Sequence, residues 1–373
     1  MAKRRRPARK PLVLETTGYL YAGGKIDSSV EGSPTVGQMY AEYFIPHPLK
    51  SPFPIVMVHG GSQTGTNFTG TPDGREGWAQ YFLRRGHAIY VVDQVARGRS
   101  AHFSQSQGAV QTGNLARTEQ RFVAPKRFNL WPQAKRHTRW PGAGKPGDAV
   151  FDAFYATQFP SLESYPRQQK INRDAIIALL ETIGPAILLV HSQSGAFAWP
   201  VADARPMLVK AIVAIEPNGP PVYEADFKGA PDWFADIGPC KTSGLGMVPL
   251  TYRPLLKSGE ALSFVRQDKP DAPGLVRGWL QTEPARKLPN LAKVPILILV
   301  AEASYHAAYD HATAAYLAQA GVPNTFIRLP DIGIRGNGHM MMLEQNSDKI
   351  AAVIEGWLKK TLAKKRTVAR KNR

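Results

Sequence analysis

Ala186-Ile-Leu-Leu-Val-His-Ser-Gln-Ser-Gly-Ala-Phe-Ala-Trp199 is the stretch whose reading decides the fold. The unbroken apolar run from Ala186 to Val190 has the length and content of a strand buried on both faces. The small polar residues that follow predict a tight turn, and Gly195 through Asp203 predicts a helix. A serine in such a strand-to-helix turn stands at a helix N-terminus with its hydroxyl exposed, and backbone N–H groups beside it are free to bind an oxyanion. That geometry suits a nucleophile, provided the rest of the chain supplies a base, an acid and a second oxyanion donor.

Outward from this stretch the chain alternates strands and helices. Two strands with Gly/Ser breaks between them are expected in residues 11–46. Phe53-Pro-Ile-Val-Met-Val58, His87-Ala-Ile-Tyr-Val-Val-Asp93, Leu208 to Ile215, Val294 to Val300 and Thr325 to Leu329 read as further strands. Helices are predicted over Asp73–Arg85, Ile171–Ile183, Tyr309–Ala320 and about Gln345–Leu362, with Gly86, Gly184 and Gly321 as stops after the first three. The alternation implies an α/β fold with a mostly parallel, doubly wound sheet and right-handed crossovers. Residues 101–167 and 217–293 show no sustained period and are rich in Pro and Gly, so both are expected to be lid or cap insertions. The body is therefore expected to be one domain over 11–362, between basic disordered tails at 1–10 and 363–373.

Composition excludes several classes. No apolar run approaches the roughly 20 residues that cross a bilayer, and the basic N-terminus has no apolar segment behind it, so a cytoplasmic location is expected. The one cysteine, Cys240, cannot form an internal disulfide. The net charge is +18, but six Lys/Arg lie in residues 1–10 and eight in 359–373, without a single acid in either, so the body is only about +4. Such tails can touch nucleic acid or an anionic surface, yet a binding protein of that kind leaves the serine turn unexplained. There is no His-Glu-x-x-His, no cysteine pair, and no Gly-x-Gly-x-x-Gly after the first strands, so neither a metal nor a cofactor is expected.

In an open α/β sheet the functional crevice lies beyond the C-terminal strand ends. The loops at His59–Gly65, Asp93–Ser100, Ser192, Glu216 and His339 all fall there. The order of parts resembles the α/β-hydrolase fold over nearly all of residues 11–362. His59-Gly-Gly61 is similar to its oxyanion-loop motif, and Asp93-x-x-Ala-x-Gly-x-Ser100 to its following turn, with Ala96 where a glycine is usual. Val58-His-Gly-Gly-Ser-Gln-Thr-Gly65, Thr71-Pro-Asp-Gly-Arg-Glu-Gly-Trp78 and His191-Ser-Gln-Ser-Gly195 resemble a subgroup of atypical bacterial serine esterases, whose triad acid follows the sixth strand.

Two serines compete for the attack. The rule of small residues two places either side of the nucleophile prefers Ser194, whereas the subgroup resemblance, with its nucleophile directly before the glutamine, implies Ser192. Ser192 is taken as the nucleophile. His339, on the loop after the last strand, is the expected base, with His306 and His311 weaker candidates and His59 and His191 expected to shape loops. The usual acid position after the seventh strand reads Ala301-Glu-Ala-Ser304, with serine in place of aspartate. The resemblance then implies Glu216 as the acid, with Glu302 and Asp331 as rivals. Gly61 and Gln193 are the expected oxyanion donors, and Ser62, Trp199, Trp233 and Met340 the expected substrate pocket. The function implied is cleavage of a small-molecule carboxylic ester, with an amide, a lactone or a C–C bond as alternatives for the same triad.

Overall fold

The computed structural model of the protein describes residues 10–371; the basic segment 1–9 and residues 372–373 lie outside the described residues. Eight strands form the central sheet: β1 (Leu14–Ile26), β2 (Thr35–Pro46), β3 (Ile55–Val58), β4 (Ile89–Asp93), β5 (Ala186–His191), β6 (Val209–Ile215), β7 (Ile296–Val300) and β8 (Asn324–Arg328). Their spatial order is β1-β2-β4-β3-β5-β6-β7-β8. The opening hairpin is antiparallel, β2 runs antiparallel to β4, and every later pairing is parallel. The parallel part brings the ends of β3 to β8 to one edge, as the alternation of elements requires.

Pleating sorts the side chains of the central strands by a period of two. Leu188, Val190, Ile212 and Ile298 face one core, closed by helices α2 (Tyr165–Ile183), α3 (Gly195–Ala204) and α4 (Asp310–Gln319). Ile187, Leu189, Val213 and Leu297 face the other, under α1 (Trp78–Leu83) and α5 (Ser347–Lys371). Both faces are thus covered, which is why β5 reads as an apolar run rather than an alternation.

Three boundaries differ from the sequence reading. α2 starts six residues early, at Tyr165, because the Ser164 side chain accepts a hydrogen bond from the Arg167 N–H and Pro166 occupies the first turn, where its missing N–H costs nothing. α1 spans only Trp78–Leu83, since Asp73 is bound to Thr71 and Arg75 in the preceding turn. α5 continues past Leu362 to Lys371, so the backbone of that basic segment is helical where a disordered tail is expected from sequence; Ala, Lys and Arg are strong helix formers.

The insertions are ordered. The first contains short helices, including Leu115–Thr118 and Ala149–Tyr155, and a π-helical turn at Glu119–Val123. The second contains two hairpins, Glu224–Phe227 with Phe234–Ile237 and Phe264–Arg266 with Trp279–Gln281. Trp131 from the first and Tyr223, Phe227 and Val276 from the second form a third core with Tyr305, Ala308 and Tyr309, which follow β7. The Trp131 indole donates to the Ala303 carbonyl at 3.1 Å. The cap is thereby built onto the loop at the end of β7.

Candidate active site

Ser192 takes the first position after β5 with φ +54°, a left-handed conformation that costs a non-glycine residue about 1–3 kcal/mol. Its surroundings hold it there. The Ser192 carbonyl accepts from the Asn218 N–H at 2.8 Å. The turn is closed by Ser194, whose hydroxyl accepts from the His191 N–H at 2.9 Å and donates to the Val58 carbonyl at 2.8 Å. Ser194 is fully buried and engaged on both sides. The two serines that compete in the sequence are thus separated: Ser194 ties the turn to β3, and Ser192 faces the cavity above the sheet.

Close packing at this turn requires glycine twice. A Cβ on Gly60 would stand 3.0 Å from the Ser192 Cβ, and one on Gly195 would stand 2.4 Å from the Pro217 Cβ. The loop after β3 and the loop after β6 therefore both press against the serine turn. The Gly60 carbonyl accepts from Arg97 Nη1 and from His59 Nδ1, each at 2.9 Å. Since His59 Nε2 accepts from the Gln94 N–H at 3.0 Å, its tautomer is set and its proton sits on Nδ1. In a trans peptide C=O and N–H point opposite ways, so anchoring the Gly60 carbonyl turns the Gly61 N–H away from Arg97. The Gln193 N–H heads the first turn of the following helix, where helical geometry supplies no carbonyl partner. Gly61, Ser62, Ser192 and Gln193 all line the cavity.

His339 is buried, and its Nδ1 lies 2.6 Å from Glu216 Oε2. Glu216 directly follows β6 with φ +47°. Its other donors come from the end of β7: Ser304 Oγ at 2.6 Å to Oε2, and the Ala301 N–H at 2.8 Å to Oε1. Ser304, which stands where an aspartate is usual, is thus a donor to Glu216. The rivals are committed elsewhere. Glu302 accepts from Arg335 Nη1 at 3.1 Å and from the Gly336 N–H at 2.8 Å, and Asp331 is exposed. Burial, followed by the nearby His191 and His306, holds the His339 imidazole well below the ordinary histidine range. Burial pushes the Glu216 carboxyl up to about 8, against the opposing pull of His306 and of the hydrogen bonds from Ser304 and Ala301.

Several contributors come from segments without a readable period. The Tyr305 hydroxyl lies 3.2 Å from His339 Nε2, and Tyr305 lines the same cavity as Ser192. With Nδ1–H directed at Glu216, Nε2 is the acceptor and the phenol is the donor. The His306 ring stacks on His339 at 4.8 Å between centroids with 10° between planes, and its Nδ1 is 2.9 Å from the buried Asp310. Phe122 also stacks on His339, at 5.3 Å between centroids. The i,i+4 spacing of His306 and Asp310, next to the misplaced Ser304, is the sequence signal that could have drawn attention to this segment. Glu216, His306 and His339 offer donor atoms within 4.8 Å of one another, the one such group among the described residues; the Glu216–His339 bond already occupies two of them.

The cavity has a volume of about 550 Å³ and is walled by both insertions. Three expected pocket residues do not line it. Trp199, itself on α3, packs into the core between that helix and the sheet, Met340 packs in the core under α5, and Trp233 stands half-buried on the second insertion. Their apolar character serves packing rather than a substrate wall, whereas Ser62 is on the wall as expected. A larger groove of about 760 Å³ is lined by Lys50 and Arg84–Gly86, which precede β3 and β4, and so opens at the opposite edge of the sheet.

The strand order and this constellation define an α/β hydrolase. The chain matches the profile of the Alpha/beta hydrolase family over residues 55–353 and belongs to that family. It is similar to a probable secreted lipase, phiG, of a fungal species (strain ATCC 74256), with 40% identity over 350 residues spanning 93% of this chain and 90% of the relative. Among solved structures, a novel bacterial esterase matches with a TM-score of 0.61 and 22% identity over 96% of this chain and 99% of its own, a likeness of fold. The relative's description corrects the cytoplasmic location expected from sequence and points to secretion. No helix among the described residues is long and apolar enough to cross a membrane.

Proposed function

We propose that the protein hydrolyses carboxylic esters through an acyl-enzyme on Ser192. The observation that carries this reading is the Glu216–His339 bond of 2.6 Å with the Tyr305 hydroxyl 3.2 Å from the far nitrogen of that histidine, while Tyr305 and Ser192 share one cavity at the C-terminal strand ends. The lipase and esterase descriptions of the relatives support the same bond class.

In this reading Ser192 Oγ attacks the ester carbonyl, and its proton passes to the Tyr305 oxygen as the phenol proton passes to His339 Nε2. The phenol ends neutral, the imidazole becomes imidazolium beside Glu216, and the carbonyl oxygen takes the negative charge. The N–H groups of Gly61 and Gln193 receive that oxyanion, a contribution worth about 10²–10³ in rate per donor in comparable sites. Returning the proton to the leaving alkoxide breaks the ester bond, and water repeats the sequence to free the acid. The lowered imidazole is neutral at neutral pH and so free to accept the proton.

Hydrolysis of 4-nitrophenyl butyrate by wild type, Ser192→Ala and Ser194→Ala tests the assignment. Ser192→Ala is expected to lower kcat by about 10⁴-fold or more. Undiminished turnover in that variant sinks the reading. Ser194→Ala removes a buried tie of the turn and is expected to lower stability without abolishing acylation by a fluorophosphonate probe.

A further inference from the structure

The cavity wall carries two guanidinium groups that the proposed chemistry does not use. Arg117 and Arg121 both line it, the second from the π-helical turn Glu119–Val123. Turns of that kind recur at functional sites. The Arg121 guanidinium is 5.1 Å from the Phe227 ring centroid and 5.5 Å from that of Tyr305, so it stands over the ring that contacts His339. Among the described residues neither arginine makes an ion pair. The neighbouring acids are engaged by other cations: Glu119 by Arg127, Asp226 by Lys228 at 2.7 Å and Glu224 by Lys241 at 2.9 Å. Glu163, on the same wall, is exposed to solvent.

This arrangement is electrostatically costly when the cavity is empty of anions. Burial and then the neighbouring Arg117 lower the Arg121 guanidinium from its ordinary range, and both arginines add to the fields that depress His339. A half-buried cation without a carboxylate, next to a second cation, is stabilised by an anionic ligand, and a guanidinium matches a carboxylate with two parallel N–H···O bonds.

We infer that the cavity is built for an ester that also carries a carboxylate, which Arg121 and Arg117 bind while the ester carbonyl meets Ser192. The inference rests on the ester-hydrolase reading for its chemistry, and its binding part can be measured without turnover. A charge-assisted hydrogen bond contributes about 1.5–3 kcal/mol, about tenfold or more in kcat/KM.

Two matched pairs test it: mono-4-nitrophenyl glutarate against 4-nitrophenyl pentanoate, with the charge on the acyl side, and 4-butyryloxybenzoate against its methyl ester, with the charge on the leaving group. Wild type is expected to prefer the anionic member of at least one pair about tenfold. Arg121→Gln is expected to reduce that ratio about tenfold, mostly through KM, and Arg117→Gln, at an exposed position that disturbs the fold least, by a smaller factor. Ratios near one for both pairs in wild type overturn the inference, as does a preference that survives both substitutions. Calorimetric titration with glutarate separates this result from a failure of the serine assignment. Binding by wild type that weakens in the arginine variants supports the anion site even if no ester turns over, and absence of binding then counts against it.

Discussion

At the scale of single residues, Tyr305 is the group with the most consequence for the chemistry. Its phenol is the hydrogen-bond partner of His339 Nε2 and lines the cavity beside Ser192, and burial raises it beyond the ordinary phenol range, so it remains a neutral donor. Tyr305→Phe keeps the ring and its contacts with Trp131 and Phe227. It is expected to lower kcat for 4-nitrophenyl butyrate about 10²-fold, the usual worth of a positioned proton-transfer group, with KM little changed. A solvent proton inventory should turn from curved in wild type to linear in the variant. A variant as fast as wild type assigns the phenol to packing alone. The sequence made the candidates for nucleophile, base and acid legible because each sits at a strand end. It left Ser192 and Ser194 open, since both satisfy a local rule and only the tertiary partners of Ser194 distinguish them. Tyr305 stayed hidden, and His306 stood only as a weaker candidate for the base, because aromatic and imidazole side chains in a loop carry no signal of what they face.

At the scale of elements, the parallel strands were readable because burial on both faces writes an unbroken apolar run, and β5 to β7 fall close to the expected residues. Helix ends were less so. The first two turns of α2, Tyr165 to Lys170, are mostly polar, and the start is marked by a serine cap rather than by periodicity. The insertions were unreadable for a different reason. Their core is assembled from residues distant in sequence, such as Trp131 against Tyr305 at 5.9 Å, and no local period records such a pairing. The same cause misassigned Trp199 and Met340: an apolar residue near a candidate site residue packs downward into the sheet cores as readily as upward into the cavity.

For the whole molecule, the buried histidines set how stability responds to acid. His59 and His191 are each held down to about 3, mainly by burial. His306 and His339 are lowered too, but they contact Asp310 and Glu216, whose carboxyls are pushed up, so the two shifts within each pair act in opposite directions as pH falls. The unfolded chain protonates His59 and His191 near 6.5 while the folded chain does not. Their contribution is therefore complete above pH 6.5 and is lost as pH falls toward 3. The slope is about 1.4 kcal/mol per pH unit for each, or about 2 kcal/mol each at pH 5. Thermal unfolding followed at pH 7, 6 and 5 should show the midpoint falling by several degrees, and a flat profile would contradict this account.

The short bond between His339 Nδ1 and Glu216, 2.6 Å long and sealed under four aromatic or imidazole rings, also gives the enzyme its own spectroscopic marker. A proton held that tightly and kept from water exchanges slowly and loses much of its electron shielding. The protein should show a single resonance far downfield of the amide envelope in its proton NMR spectrum, absent in Glu216→Ala. That signal would report acylation of the serine, or an anion resting on the wall above, without a label or a chromogenic substrate.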